Sequence, residues 1–578
     1  MKKTAAWLTR YALEQIGVKY TFGIPGVHNT ELYDELNNSE HITPNLVMHE
    51  AHGAFMADAI SRVTNSIGTL VIVPAAGVTH AASGIAEAYL DGIPMLVITG
   101  GIRNDSNFDY QLHEMDQLKL VAGFTKAAFK INHHEEVINT IYKAYDIATS
   151  GEPGPVFIEL PVNLQLDKAS ISELPAYTKP TQAALSPKVI KQIESAAQLL
   201  MQAENPVIFA GWGAVHASQL LISISEQLGS AVATTMQGIS AFPANHPLHA
   251  GFCFGPAAAP AAQNAFDEAD CVLAIGTRFG EIATGSFGGQ LPEKLIHIDI
   301  NSAVFDANFK SAIAIEGDSA QICQQLLSSL KKLGAAKSAH KTAQQISTNK
   351  KAYRESWYQH DSKDRVNPAL YFDELRSQLA DDAHLVVDDG NHTFLTAELM
   401  PIHQAYGFIS PTDFNCMGYA TPAAIAVKMA KPQREVHAIV GDGAFMMTAT
   451  ELATAVSQNL GLVIGVFNDG ELSQIAQAQQ IPYNRKTCTV LPQTKLKGLA
   501  MATGAEYLCI RNNHDIKSQL TKARMLAQEN KVVILDINID YSKATAFTEG
   551  AVKTNLKRMP LPTKVRMVGR AMVRKVTG

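Results

Sequence analysis

Residues 441–470 read GDGAFMMTATELATAVSQNLGLVIGVFNDG. An apolar run ends directly before Asp442, and a second apolar run ends directly before Asn468, with a helical pattern between them. Neighbouring parallel strands lie about 4.8 Å apart, so Asp442 and Asn468 can reach one cation between them. A carboxylate, an amide oxygen and a backbone carbonyl suit Mg²⁺ or Ca²⁺. The N–H groups of Gly443 and Ala444 begin the helix and point at an anion. The stretch therefore predicts a site for a divalent cation and an anionic ligand.

Short apolar runs alternate with helical patterns along the whole chain. They are rich in Val and Ile and end at Gly, Asp or Asn, which is typical of buried parallel strands. Such alternation predicts an α/β protein whose ligands bind at the carboxyl ends of the strands. The ten runs are 69–75, 93–101, 155–160, 205–211, 271–277, 295–300, 384–390, 435–443, 462–470 and 532–540.

Two stretches without strand signals, 174–190 and 335–367, divide the chain into three blocks. We therefore predict three doubly wound parallel-sheet domains followed by a basic C-terminal arm. From residue 551 onward the arm carries eight Lys and Arg and no acid, which fits a solvated helix or an arm that closes over an anionic ligand. The predicted boundaries are 1–175, 186–335, 366–548 and 549–578.

Composition and charge are those of an ordinary globular protein. Hydrophobic residues make up 46% and charged residues 18% of the 578 residues, and the formal net charge is −6. This balance does not indicate a nucleic-acid or membrane partner, and no run approaches the roughly 20 apolar residues that span a bilayer. The six cysteines form no CxxC pair, as is typical of free thiols in a reducing compartment. We therefore expect a cytoplasmic protein.

The spacing within residues 441–470 resembles the diphosphate-binding motif of the thiamine-diphosphate enzymes, in which a GDG triplet precedes an Asn-Asn pair. Here 24 residues separate Gly443 from Asn468, and Asp469 replaces the second Asn. The resemblance implies that Asp442, the Asn468 side chain and the Gly470 carbonyl hold Mg²⁺. The residues implied to contact the cofactor around its diphosphate are Gly441, Gly443, Ala444, Asn468, Glu471 and Leu472.

A carboxylate from a different block supplies the other half of the resemblance. Residues 45–62, NLVMHEAHGAFMADAISR, look like the family segment in which a His-Glu pair introduces a helix. Glu50 is then implied to be the catalytic carboxylate that hydrogen-bonds N1′ of the cofactor's aminopyrimidine and so promotes loss of the thiazolium C2 proton. The segments 21–36, 388–393 and 415–430 also match the family. They imply cofactor contacts from Pro25, Gly26, Asn391, His392, Asn415 and the apolar wedge Met417.

The resemblance covers nearly the whole chain and extends to acetolactate synthase large subunits and related 2-oxo-acid decarboxylases and carboligases. It implies a pyrimidine-binding first domain, a central domain and a diphosphate-binding third domain. Because the first domain of one subunit faces the third domain of another in this family, a homodimer or homotetramer with the active site at the subunit interface is implied. FAD in the central domain is an option, and there Arg278 could meet a phosphate.

Four departures from the acetolactate synthase pattern fall near the expected substrate pocket. Ala75, Ala76 and His80 lie in a stretch that usually contains a Gly-Pro-Gly turn. His113 stands where Gln is expected, Ala478 where a Trp shapes the second-substrate pocket, and Asn415 where Gly is usual. His113 has two interpretations: a structural residue, or a catalytic histidine that protonates or orients intermediates, as in pyruvate-decarboxylase-like members.

These features predict an enzyme that uses thiamine diphosphate and Mg²⁺ to decarboxylate a 2-oxo acid and to join the resulting enamine to a second carbonyl compound. If a proton adds instead, an aldehyde is released, and the sequence leaves this alternative open. A 2-hydroxyacyl-CoA lyase or oxalyl-CoA decarboxylase is a further alternative, since the basic arm could clamp coenzyme A phosphates. A non-catalytic cofactor-binding protein is least favoured, because Glu50, Asp442 and Asn468 are all present.

Overall fold

Three six-stranded parallel sheets form the frame of the molecule, which confirms the predicted α/β class. The structure, a computed structural model, describes residues 1–577, with side chains for all of them except residues 481, 576 and 577. The sheets belong to a first unit (residues 2–170), a central unit (187–333) and a third unit (368–537). All ten runs predicted as strands are strands. The exact domain boundaries stay a prediction.

The first unit consists of a parallel sheet between helices and a small antiparallel ribbon. Its elements are β1 (Lys2–Thr4), α1 (Ala5–Gln15), β2 (Tyr20–Gly23), α2 (Thr30–Asn37), β3 (Thr43–Leu46), α3 (Glu50–Val63), β4 (Gly68–Ile72), α4 (Ala76–Asp91), β5 (Met95–Gly101), α5 (Gln117–Val121), β6 (Ala127–Lys130), α6 (Val137–Thr149), β7 (Pro155–Pro161), α7 (Val162–Leu166) and β8 (Lys168–Ser170). The sheet order is β3-β2-β4-β5-β7-β6, and β1 pairs with β8. Strands β4, β5 and β7 are buried along their whole length, as expected for a sheet covered on both faces.

The central unit has the sheet order β11-β10-β9-β12-β13-β14. Its elements are α8 (Pro187–Gln202), β9 (Pro206–Ala210), α9 (Ser218–Leu228), β10 (Ala231–Thr234), β11 (His249–Phe252), α10 (Pro260–Asp267), β12 (Cys271–Ile275), β13 (Leu295–Asp299), β14 (Ile313–Glu316) and α11 (Ser319–Leu333). A long helix, α12 (His340–Tyr358), leads from it to the third unit.

The third unit has the sheet order β16-β15-β17-β18-β20-β19. Its elements are α13 (Pro368–Gln378), β15 (His384–Val387), α14 (Asn391–Leu399), β16 (Phe408–Ile409), α15 (Ala420–Ala430), β17 (Val436–Gly441), α16 (Asp442–Thr448), α17 (Leu452–Ser457), β18 (Leu462–Phe467), α18 (Ser473–Tyr483), α19 (Leu496–Thr503), β19 (Glu506–Ile510), α20 (Ile516–Gln528) and β20 (Val532–Ile537).

The basic arm forms two helices, α21 (Ala546–Arg558) and α22 (Leu561–Thr577). Arg558 donates to the backbone carbonyls of Ser286 and Phe287 in the central unit. Arg570 donates to the carbonyl of Pro482 in α18 at 3.0 Å. The arm is therefore packed against the rest of the chain. Among the helices of the described residues, none is long and apolar enough to cross a membrane.

A buried ion cluster joins the three units. Arg62 of α3 has Nε 2.6 Å from Asp58 Oδ1 and Nη2 2.8 Å from Asp91 Oδ2, and all three side chains are fully buried. Tyr419, which precedes α15, donates its hydroxyl to Asp58. The central unit contributes Trp212, whose ring centroid lies 5.4 Å from the guanidinium carbon of Arg62. Because buried charges are costly unless they are paired, this cluster fixes how the units sit together.

We predict that Arg62→Met destabilises the protein by about 3–5 kcal/mol, because it leaves the carboxylates of Asp58 and Asp91 buried without their cation. Unfolding in urea, followed by circular dichroism, measures the change. Arg103→Met is the matched control, since Arg103 pairs with Asp105 at the surface, and it should unfold like the wild type. Equal stability of the two variants would contradict this account of the cluster.

Candidate active site

The ends of β17 and β18 lie side by side, as the sequence predicts, with Gly441 paired to Phe467. Asp442 is the first residue of α16, and its Oδ2 accepts the Gly470 N–H at 2.8 Å. Asn468 follows β18 directly and donates its amide nitrogen to Asp536 Oδ1 at 3.0 Å. This bond leaves the amide oxygen of Asn468 as an acceptor, so the donor set is the oxygen-rich one that Mg²⁺ prefers.

The electrostatics of this strand end favour a cation. Burial, and also the neighbouring carboxylate of Asp469, raise the pKa of Asp442 to about 6. Burial likewise raises the pKa of Asp469, which accepts a hydrogen bond from the Ser473 hydroxyl. Two carboxylates close together in a partly buried place are each harder to ionise, and a divalent cation between them removes that penalty.

His392 closes this strand end from the side of α14. It is buried, and burial lowers the pKa of its imidazole to about 3, so the ring is neutral. Its Nε2 atom has no hydrogen-bond partner among the described residues, and a methyl group added at Gly441 would lie 3.1 Å from the ring. The preceding residue, Asn391, donates to Gln477 at 3.2 Å. A buried nitrogen without a partner leaves room for a ligand group here, and as an N–H it would donate to an oxygen of that ligand.

The loop that contains Asn415 and Met417 is held by a residue that the sequence did not single out. Asp388, at the end of β15, accepts the N–H groups of Gly418 at 2.8 Å and Ala420 at 2.7 Å. Its carboxyl is fully buried, and burial raises its pKa to about 7. Asn415 has a φ of 65°, a left-handed conformation that Asn adopts more readily than most residues. Met417 is half-buried beside these bonds.

The segment after Gly470 is tied to a neighbouring loop. The Leu472 N–H donates to the Thr489 carbonyl at 2.7 Å, and the Glu471 carboxylate pairs with Lys486. A methyl group added at Gly443 would lie 2.6 Å from the Leu472 side chain. Glu471 and Leu472, which are predicted to contact the cofactor, therefore already have partners within the third unit.

Glu50 lies at the start of α3 in the first unit and is buried. Its Oε2 lies 3.0 Å from Nδ1 of His80 in α4, a contact that the sequence did not predict. The preceding residue, His49, caps α3 by accepting the Ala51 N–H on its own Nδ1 at 3.2 Å. Because Glu50 and His80 are thirty positions apart, their contact depends on the packing of two helices.

The Pro25–Gly26 turn follows β2 and is stabilised by the Asn29 side chain, which accepts the Gly26 N–H at 2.7 Å. A methyl group at Gly26 would lie 2.5 Å from the Val73 side chain, so the turn needs a glycine for its close approach. Ala75, which lies in the stretch where the family usually has a Gly-Pro-Gly turn, has a positive φ of 52°. This positive φ is a conformation that alanine adopts rarely.

His113 lies half-buried in the exposed loop between β5 and α5. Its ring packs edge-on against His28, with centroids 5.2 Å apart. Nδ1 of His28 is buried without a hydrogen-bond partner among the described residues, and burial followed by the charge of His113 lowers the pKa of His28. Ala478 lies in α18 of the third unit. The structure therefore pairs His113 with His28 and not with Glu50.

The predicted residues form two sets in separate units. Pro25, Gly26, Glu50 and His113 belong to the first unit, and the others belong to the third. Among the hydrogen bonds of the described residues, none joins Glu50 to Asp442. The two units do touch behind the site, where Glu451 accepts the Met48 N–H at 2.9 Å and lies 2.7 Å from Nδ1 of His52.

A cavity of about 500 Å³ lies at the carboxyl end of the central sheet, where FAD was an option. Arg278, on its wall, is already bonded to Glu152 and Asp413. Asp299 and Asp318 also line it, and burial raises the pKa of Asp299 to about 6. A phosphate that met Arg278 would have to displace two carboxylates from it, so Arg278 gives FAD no support.

Family models match all three units. Residues 3–120 match "Thiamine pyrophosphate enzyme, N-terminal TPP binding domain", residues 193–326 match the central domain, and residues 388–537 match the C-terminal TPP binding domain. The chain is 33% identical over 550 residues to a probable acetolactate synthase large subunit of Methanocaldococcus jannaschii, covering 92% of this chain and 91% of the relative. It is 29% identical over 566 residues to the acetolactate synthase isozyme 3 large subunit of Escherichia coli (strain K12), covering 94% and 96%.

We predict that Gly470→Ala lowers the stability of the ligand-free protein by about 1–2 kcal/mol, because residue 470 has a φ of 78°. Gly498→Ala is the matched control. Gly498 lies exposed in α19 with open space around it, so alanine there should raise the stability by up to about 1 kcal/mol. Differential scanning calorimetry measures both. Shifts in the same direction would contradict the predicted strain.

Proposed function

Because the chain belongs to the thiamine pyrophosphate enzymes and is similar to acetolactate synthase large subunits over most of its length, we propose that it decarboxylates a 2-oxo acid and joins the remaining fragment to a second carbonyl compound. The observation that carries the proposal is the strand end at Asp442, where a carboxylate, an amide oxygen and a neutral buried imidazole converge. This strand end lies in the unit that matches the C-terminal TPP binding domain.

In this proposal Asp442, the amide oxygen of Asn468 and the carbonyl of Gly470 hold Mg²⁺, and His392 and the α16 amides meet the cofactor diphosphate. The raised pKa of Asp442 and its nearness to Asp469 support the cation. Thiamine diphosphate, when bound, supplies the electron sink for loss of CO₂. Glu50 holds the proton that the aminopyrimidine needs, in a site largely shielded from water.

The two sets of residues complete one site if the first unit of one subunit faces the third unit of another, so we propose a homodimer or homotetramer. The loop between β5 and α5 supports this arrangement, because it exposes apolar side chains that a partner would cover. Phe108 and Tyr110 are 83% and 97% exposed. Isolated apolar side chains are common at surfaces, but a run of them on one loop favours an interface.

Release of an aldehyde is the second candidate function. The His28–His113 pair favours it, because it places two imidazoles on one loop system of the first unit, where they could protonate an intermediate. The coenzyme A lyase alternative loses support, because Arg558 and Arg570 of the basic arm already bond to backbone carbonyls.

The proposed function is tested by incubating the protein with thiamine diphosphate, Mg²⁺ and a panel of 2-oxo acids, with and without an added aldehyde or second 2-oxo acid. Carboligation predicts CO₂ release together with acyloin or acetohydroxy-acid products in the nuclear magnetic resonance spectrum. Aldehyde as the main product would favour the second candidate. Absence of CO₂ from every 2-oxo acid would refute both.

We predict that Glu50→Gln lowers turnover by about 10²- to 10⁴-fold, because the amide cannot exchange a proton with the aminopyrimidine. Cofactor affinity, measured by quenching of protein fluorescence, should stay close to that of the wild type. Glu31→Gln, on the exposed face of α2, is the control and should leave both quantities unchanged. A fully active Glu50→Gln enzyme would rule out the proton role of Glu50.

We predict that Asp442→Asn weakens Mg²⁺-dependent binding of thiamine diphosphate by about tenfold to a hundredfold, because the site loses its charged ligand. Isothermal titration calorimetry measures the affinity, and a chelator should abolish wild-type binding. Asp381→Asn serves as control, since Asp381 is an exposed carboxylate before β15, at the opposite end of the sheet. Unchanged affinity in Asp442→Asn would place the cation elsewhere.

A further inference from the structure

In the single chain, His80 lies between the carboxylate of Glu50 and solvent. The Glu50 side chain is 9% exposed, whereas the His80 side chain is 53% exposed, and their Oε2 and Nδ1 atoms lie 3.0 Å apart. His80 therefore has one ring nitrogen on the buried carboxylate while about half of its side chain faces outward. Imidazole can accept a proton on one nitrogen and release another from the second, which suits a histidine to proton transfer near neutral pH.

The position of the His80 ring is set by its surroundings. It stacks on His49, with centroids 4.8 Å apart and planes 25° apart, and His49 is itself fixed as the cap of α3. Helices α3 and α4 approach each other at two glycines. A methyl group at Gly84 would lie 2.5 Å from the Ala54 side chain, which requires a glycine there, whereas one at Gly77 would make only an ordinary contact with Glu50 Oε1 at 3.5 Å. The packing of α3 against α4 therefore fixes the contact between His80 and Glu50.

The titratable groups around Glu50 leave His80 as the one suited to carry protons. Tyr33 is half-buried and donates its hydroxyl to the Val71 carbonyl, and burial of this hydroxyl and then the charge of Glu50 raise its pKa. Burial and then the charges of His52 and His80 lower the pKa of His49, whose Nδ1 already accepts a backbone N–H.

The capping of α3 by His49 also affects whether a metal ion could bind here. His49, Glu50 and His80 offer ligand atoms within 4.8 Å of one another. A metal ion on His49 Nδ1 would have to compete with the Ala51 N–H that caps α3, so the cap leaves only Nε2 of His49 as a ligand and does not favour a metal role.

We propose that His80 carries protons between solvent and Glu50, a proposal that rests on the proposed function because Glu50 must hold a proton for the aminopyrimidine. In the inward passage, Nε2 accepts a proton from hydronium or a buffer acid while the Nδ1–H proton moves to Glu50 Oε2, so the imidazole begins and ends neutral but changes from the Nδ1–H to the Nε2–H tautomer. The reverse passage returns the proton to water. His80 is thus a positioning and proton-carrying residue that acts through Glu50.

The test follows the ionisation of the bound aminopyrimidine after a rapid pH change, in the full-length protein loaded with thiamine diphosphate and Mg²⁺. Stopped-flow absorbance or circular dichroism reports the relaxation without any substrate. We expect His80→Ala to slow the relaxation about tenfold to a hundredfold and imidazole in the buffer to restore part of the rate. His133→Ala, at an exposed histidine before α6, is the control and should relax like the wild type.

His80→Gln separates proton transfer from orientation, because glutamine can still donate a hydrogen bond to Glu50 but cannot pass a proton. Relaxation as slow as that of His80→Ala supports the proposal, and wild-type relaxation overturns it. An unchanged relaxation rate in His80→Ala also overturns the proposal. A much higher cofactor affinity in His80→Ala without imidazole rescue overturns it too, because it would show that His80 merely occupies the pyrimidine site. If Glu50→Gln relaxes like the wild type, or the wild type binds no cofactor, the proposed function fails together with this proposal.

Discussion

The pairing of Arg62 with Asp58 and Asp91 is the interaction on which the arrangement of the molecule depends. It lies where the three units meet, with Tyr419 from the third unit and Trp212 from the central unit against it. Helix α3 carries Arg62 near its end and Glu50 at its start, and Tyr419 directly precedes α15. The cluster therefore couples the two helices that position the candidate residues of the first and third units.

The sequence predicts the inside of each sheet better than its edges. The ten predicted runs are interior strands, buried on both faces, where a continuous apolar stretch is required. The ten runs leave out two interior strands, β2 and β10, and all six outer strands, β3, β6, β11, β14, β16 and β19. The outer strands are short, and all but β16 mix polar with apolar residues, as in Thr43–Leu46, because one side of an edge strand has no neighbouring strand to pair with. Their place depends on the sheet that they join.

The candidate site shows the same division. Asp442 and Asn468 could be predicted because each ends a strand, and strand order follows from chain order there. Glu50 and Met417 required the resemblance to a family. The contact of Glu50 with His80 and the bonds from Asp388 to Gly418 and Ala420 could not be predicted, because they join side chains or amides from elements far apart in sequence. The sequence flagged His80 as unusual without indicating what it touches.

The brevity of the outer strands has a consequence for the molecule at high concentration. None of the six exceeds five residues, and β16 has two, so each sheet margin offers few free backbone groups for another chain to extend. Pro44 lacks an N–H altogether and interrupts the margin formed by β3. The short edge strands therefore disfavour the formation of fibres by strand pairing between copies of this chain, and association through side-chain contacts is favoured instead.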